Sequence, residues 1–202
     1  MSKLALTSLG AASIAASVPV MHMLGRRVGG GARTAVMATT TAAFVAGWGM
    51  LAAGLAQPPA GTQDEVTAAW KRRQVGLSVA GAVLVVMGVG AVRYGSRMRV
   101  PTPVGSALFI AGWATLTAAM VLADPDYSTM GSHEKAGRVT HALAATLTVI
   151  LGAALISMSD NRVAVAAQPT STVPLTQKTL DIAAVAAFVV GWGNVVSVTA
   201  LQ

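Results

Sequence analysis

The chain has 202 residues, of which 54% are hydrophobic and only 10% are charged, and its formal net charge is +7. Soluble domains usually carry about a quarter charged residues, so this composition excludes an ordinary soluble domain and indicates a membrane protein. The absence of Cys excludes disulfides, thiolate metal sites and cysteine-ligated iron–sulfur clusters.

Six apolar stretches follow one another along the chain, and each is long enough for a transmembrane helix. About 20 helical residues cross a hydrocarbon core of about 30 Å. We predict spans at about 4–24, 34–56, 75–92, 104–123, 139–158 and 181–201. The predicted fold is therefore one all-α integral membrane domain over residues 1–202. Residues 4–24 also fit a secretory signal peptide, because Lys3 is followed by an apolar run and small residues.

The polar connections contain several local signals. Thr62 and Glu65 form a predicted capping box for a short helix. The connection between spans four and five contains His133 and Glu134, which we interpret as part of a solvated loop. Residues 159–178 form the longest predicted connection. Aromatic and basic side chains that flank spans are typical membrane-interface anchors, and here they are Trp70, Lys71, Arg72, Arg73, Tyr94 and Tyr127.

One short motif, Phe-x-x-Gly-Trp, occurs in spans two, four and six. It contains all three Phe and three of the four Trp. Its copies are Phe44, Gly47 and Trp48; Phe109, Gly112 and Trp113; and Phe188, Gly191 and Trp192. Because residues i, i+3 and i+4 share one face of a helix, the three side chains of each copy lie on one stripe.

Matches outside the motif indicate an internal repeat. The Trp residues are 65 and 79 positions apart, and Lys71, Val75, Ala80 and Gly88 recur 64 positions later as Lys135, Val139, Ala144 and Gly152. We predict three tandem hairpin repeats, at about 4–56, 71–123 and 135–202. Two spans per unit give every copy the same orientation, so the repeats are parallel and a quasi-threefold bundle is expected. The repeat also favours residues 4–24 as a retained span, since the first motif helix otherwise lacks a partner.

The repeated stripe has three interpretations. In the first, Phe and Trp pack the bundle core and Gly admits the neighbouring helix. In the second, three indoles line a central pore or shallow cavity and offer their N–H groups to a ligand. In the third, the stripe contacts another protein.

Charge predicts the orientation in the membrane. The first, third and fifth connections hold eight Lys or Arg against two Asp, a net charge of +6, whereas the other side holds six against five, a net charge of +1. The positive-inside rule places the first set on the cytoplasmic or equivalent side, with both termini opposite. The membrane could be that of a bacterium, an organelle or a virion.

Residues that could carry chemistry are few. We interpret His22 as a polar anchor, Asp181 as a carboxylate that favours the start of span six, and Asn194 as a donor in an interhelical hydrogen bond. No catalytic, cofactor-binding or metal-binding residues are predicted, and no catalytic motif is present, so an enzyme is not expected.

The function expected from this pattern is structural or accessory, as a component of a larger membrane-embedded assembly. Its expected partners are the lipid bilayer and other membrane proteins, and no nucleic acid is expected. The alternative is a channel or facilitator for a small neutral solute along the pseudo-threefold axis, which requires polar groups and a continuous path there.

Overall fold

The computed structural model describes residues 1–24, 27–59, 61, 66–98, 101–166 and 175–200, and these residues form helices without strands. The helices are α1 Lys3–Leu24, α2 Gly30–Leu55, α3 Ala68–Met98, α4 Thr102–Val121, α5 Ser132–Ala166 and α6 Leu175–Ala200. All six are long and apolar enough to span a membrane. The prediction of an all-helical protein with six such helices is confirmed. In a bilayer, helices satisfy every backbone polar group internally, and this favours helical spans.

Two helices extend well beyond their apolar stretches. Helix α3 begins at Ala68, so Trp70 and the three basic residues after it lie in its first turns. Helix α5 begins at Ser132, and His133 and Glu134 are therefore helical; their assignment to a solvated loop is wrong. Glu134 lies in the first turn of α5, where its carboxylate interacts favourably with the helix dipole. Helix α5 also continues to Ala166, into the predicted connection.

Local signals set the helix ends. The Thr67 hydroxyl accepts a hydrogen bond from the backbone N–H of Trp70 at 3.1 Å at the start of α3. The predicted capping box of Thr62 and Glu65 lies outside the described residues. Pro101 precedes α4 in an extended conformation, where its missing N–H costs no helical hydrogen bond.

The helices associate mainly with their neighbours in the chain. The most extensive contacts join α1 to α2, α3 to α4 and α5 to α6. Smaller contacts join α2 to α3, α4 to α5 and α6 to α1. Since α6 returns to α1, the six helices close into a ring.

The buried core lies inside this ring. Its largest fully buried apolar side chains include Ile14, Leu51, Leu116, Val149 and Val195, which come from α1, α2, α4, α5 and α6. The outer faces expose large apolar residues such as Val79, Ile110, Leu147 and Ile182, as expected for contact with lipid. Helix α1 contributes to the core through Ala11 and Ile14, so its removal would uncover its two neighbours.

Candidate functional site

Three tryptophans meet at the centre of the bundle. Trp48, Trp113 and Trp192 come from α2, α4 and α6 and are only 2–3% exposed. Their ring centroids are 5.4–5.7 Å apart in all three pairings. Two of the pairings are edge-on, and the Trp113–Trp192 pair is tilted at 52°. The rings are thus in mutual contact, and we call them the tryptophan centre.

Each tryptophan ring packs against the phenylalanine ring of its own helix. The Phe–Trp centroid distances are 6.1, 6.5 and 6.2 Å for α2, α4 and α6, all with edge-on geometry. Edge-on aromatic pairs at this spacing contribute about 0.5–1.5 kcal/mol beyond their burial. Phe188 is buried, whereas Phe44 and Phe109 are half-buried at the rim of the core.

The motif glycines lie where the two helices of a pair are in close contact. A Cβ atom on Gly112 would be 2.6 Å from the backbone nitrogen of Val85, and one on Gly191 would be 2.6 Å from that of Val149. In the first pair, a Cβ on Gly47 would be 2.7 Å from the Ile14 side chain. No side chain fits at these distances, because the neighbouring helix occupies the space.

The indole N–H groups of the tryptophan centre lack hydrogen-bond acceptors. In the described part of the chain, none of the three Nε1 atoms has a hydrogen-bond partner, and all are buried. The electron-rich faces of neighbouring indoles are the groups available to such N–H donors, in contacts much weaker than a hydrogen bond to oxygen. The three indoles of the centre therefore offer buried N–H donors and aromatic faces.

A second buried feature lies at the C-terminal ends of the motif helices α2 and α4. Gln74 is fully buried near the beginning of α3, and its Nε2 donates to the Leu55 carbonyl at 2.9 Å and to the Ala119 carbonyl at 2.8 Å. Both carbonyls belong to the last turn of their helix, where no intrahelical N–H remains to bind them. One amide group therefore caps α2 and α4 together and links the first pair of helices to the second.

Replacing Gln74 with alanine should destabilise the protein by about 1–3 kcal/mol, because two buried carbonyls lose their donor. The measurement is a denaturant titration of the purified protein in detergent, followed by the loss of helical circular dichroism. Arg72→Ala, at an exposed position two residues earlier, is the control and should change the unfolding free energy by less than about 0.5 kcal/mol. Equal effects of the two substitutions would contradict the capping role.

Charged and hydroxyl groups join the second pair of helices to the third. Arg138 donates to the Asp124 carboxylate at 2.8 Å, and both side chains are 18% exposed. Between α4 and α5, the Thr117 and Thr146 hydroxyls are 2.7 Å apart and buried. In the membrane such polar contacts bring specificity to helices whose faces are otherwise apolar.

The predicted interface anchors take different positions. Trp70 is only 5% exposed, and its ring packs within the bundle. Lys71, Arg72 and Arg73 are exposed, and Arg73 donates to the Leu122 carbonyl at 3.3 Å. Tyr94 is 40% exposed, while Tyr127 is half-buried with the Lys135 ammonium 5.7 Å from its ring centroid.

The sequence did not predict a pairing of His22 with Asp181. His22 Nε2 lies 3.4 Å from Asp181 Oδ1, and the His22 side chain is 2% exposed. Asp181 does not lie at the start of its helix, because α6 begins at Leu175, so its assignment to the helix N-terminus is wrong. The available signal was that both residues border the same predicted side of the membrane. The ring closure of α6 onto α1 brings them together.

Asn194 also differs from its expected role. Its side chain is exposed on the outer face of α6 and forms no hydrogen bond with the described residues. The interhelical bond expected within the bundle is therefore not formed. Over the described ranges, no group of three His, Asp or Glu side chains is arranged to hold a metal ion.

Comparison of the chain with protein-family models, with curated proteins and with solved structures gives no significant match.

Proposed function

We propose that the chain is a structural or accessory multi-pass membrane protein that forms part of a larger membrane-embedded assembly. In this proposal it is not an enzyme, requires no cofactor and has no nucleic-acid partner. Its six helices are three tandem parallel hairpin repeats about a quasi-threefold axis, and the connections with the higher positive charge face the cytoplasmic or equivalent side.

Matching contacts support the repeat. The shift of 64 residues that relates α3 to α5 carries Val85 to Val149, and the shift of 79 that relates α4 to α6 carries Gly112 to Gly191. Val85 contacts Gly112, and Val149 contacts Gly191. The same two shifts relate a second pair of contacts, Gly88 with Phe109 and Gly152 with Phe188. The two helix pairs therefore pack in one register.

Polar residues fall into the same alignment. Gln74 and Arg138 are 64 residues apart, and each joins its helix to the preceding part of the bundle. The first pair aligns through Ile14 and Gly47, which correspond to Val85 and Gly112. This alignment puts Lys3, which is 8% exposed, at the position of Gln74. A long polar side chain at each of these positions supports a common ancestral unit.

The observation that carries the assembly proposal is the position of Asn194. It lies two residues after Trp192, about 3 Å farther along the helix axis, within a span that the hydrocarbon core would enclose. Its amide is exposed without a hydrogen-bond partner among the described residues, and an unpaired amide in an apolar medium costs several kcal/mol. A helix of another protein that forms hydrogen bonds with this amide removes that cost.

The test compares substitutions of Asn194 and of the aligned residue in α2, in protein purified from its native membrane. Wild-type protein should retain a membrane partner, and Asn194→Leu should retain about fivefold less of it, as expected for loss of about 1 kcal/mol from an interhelical hydrogen bond. The matched control is Met50→Leu, at the corresponding position of α2, which should retain the wild-type amount. A wild-type protein that always purifies alone, or equal losses in both variants, would contradict the proposal.

The channel alternative is less well supported. It requires an open path along the centre, and the three indoles of Trp48, Trp113 and Trp192 are in contact there at one level of the bundle. Their N–H groups are also buried, whereas a hydrated path would leave such groups in contact with water. These contacts favour the assembly proposal over solute conduction.

A further inference from the structure

A groove opens on the bundle surface between the end of α1 and the first half of α6. It has a volume of about 510 Å³, within the range of sites that hold small ligands. Polar residues line one end, and apolar residues line the rest: His22, Met23, Arg27, Asp181, Ile182, Val185, Ala186 and Val189.

Among the described residues, the polar end contains the His22–Asp181 contact and the exposed Arg27 side chain. His22 is buried, and its Nε2 lies 3.4 Å from Oδ1 of Asp181. Arg27 is exposed just beyond the end of α1, and its guanidinium forms no ion pair or hydrogen bond with the described part of the chain. Arg27 is therefore the cation available to a ligand at the mouth of the groove.

The apolar end follows one stripe of α6. Ile182, Val185, Ala186 and Val189 have the i, i+3, i+4, i+7 spacing of a single helix face, and they extend over about 10 Å along the axis. The stripe runs from the His22–Asp181 contact towards the level of Phe188 and the tryptophan centre. Polarity in the groove thus falls from the helix ends towards the middle of the span, in the same order as the polarity of a lipid leaflet.

We propose that this groove binds one anionic phospholipid, with its phosphate at Arg27 and an acyl chain along the Ile182–Val189 stripe. Basic side chains at a helix end bind phosphate headgroups, and an apolar groove below them accepts the acyl chain. The sequence places Arg26 beside Arg27, and the connections on this side have a net charge of +6. The charge therefore favours an anionic headgroup over a zwitterionic one.

The carboxylate in the groove does not follow the internal repeat. In the repeat alignment, the residues that correspond to Asp181 are Met37 in α2 and Thr102 in α4, so the carboxylate has no counterpart. Packing constraints shared by the three pairs do not explain the contact of Asp181 with His22. This comparison rests on the proposed repeat, whereas the groove, its lining and the lipid proposal do not.

The experiment is native mass spectrometry of the full chain in detergent, after incubation with equal concentrations of dioleoylphosphatidylglycerol and dioleoylphosphatidylcholine. Wild-type protein should retain one phosphatidylglycerol, about fivefold more than phosphatidylcholine, as expected for one Arg near a headgroup. Arg27→Gln should make the two lipids equal, because the headgroup loses its cation. Ala186→Phe should remove both lipids by filling the groove.

The matched control is Ala107→Phe, at the corresponding exposed position of α4, and it should bind as wild type. Equal retention of the two lipids by wild-type protein would overturn the proposal, as would equal losses in Ala107→Phe and Ala186→Phe. Displacement of the lipid by inorganic phosphate at the same concentration would indicate a free-anion site and would also overturn it. Arg27 is exposed, so its variant tests headgroup selectivity even if Ala186→Phe does not give folded protein.

Discussion

Replacing Trp48 with alanine is expected to lower the free energy of unfolding by about 3–5 kcal/mol, the range for large aromatic-to-alanine changes in a packed core. The Trp48 ring contacts both other indoles of the tryptophan centre, with centroid distances of 5.7 and 5.4 Å, and also the ring of Phe44. Its removal ends three aromatic contacts and leaves a cavity where α2, α4 and α6 meet. The measurement is a denaturant titration in detergent, followed by the loss of helical circular dichroism.

The control for Trp48→Ala is Tyr94→Ala, which removes an aromatic ring that is 40% exposed. Its expected effect is below about 0.5 kcal/mol. The double variant of Trp48 and Trp113 should cost less than the sum of the single variants, because the two rings contact each other. Additive effects, or equal effects of Trp48→Ala and Tyr94→Ala, would show that the three indoles do not form one packed unit.

The second large effect is expected for Gly152→Ala, which should destabilise the protein by about 1–3 kcal/mol. The new Cβ would lie 2.5 Å from both the backbone nitrogen and the Cα of Phe188. These atoms belong to the α6 backbone, so a side-chain rotation does not relieve the overlap and the two helices must separate. The same denaturant titration measures the change.

Alanine itself favours helix over glycine by up to about 1 kcal/mol, and this gain opposes the clash. Gly193→Ala isolates the gain, because nothing lies within 4 Å of the Cβ position at Gly193 in α6. We expect Gly193→Ala to be neutral or stabilising and Gly152→Ala to be destabilising. Changes of the same sign and size in both variants would mean that close packing at Gly152 does not limit stability.

The apolar runs were sufficient to predict the number and approximate positions of the six long helices. A run of about 20 apolar residues has few alternatives to a helix in a bilayer, where each backbone polar group needs an internal partner. The apolar runs therefore predicted six helices that the structure contains. The boundaries were less certain, because the polar ends of α3 and α5 continue the helix beyond the apolar runs, where hydropathy does not indicate a span.

The sequence also placed Phe, Gly and Trp on one face of each motif helix, but it did not say which way that face points. In a soluble protein the apolar face points inward, whereas here the inward and outward faces are about equally apolar. Only the tertiary structure placed Trp48, Trp113 and Trp192 in mutual contact and left Asn194 outside.

The polar contacts were likewise decided by tertiary structure. Gln74 reaches carbonyls 19 and 45 residues away, and His22 reaches Asp181 across 159 residues, because the ring of helices closes. Such contacts depend on the order and rotation of the helices. A membrane chain encodes these through close packing of small residues and a few hydrogen bonds, whereas its hydropathy encodes only the lengths of the spans.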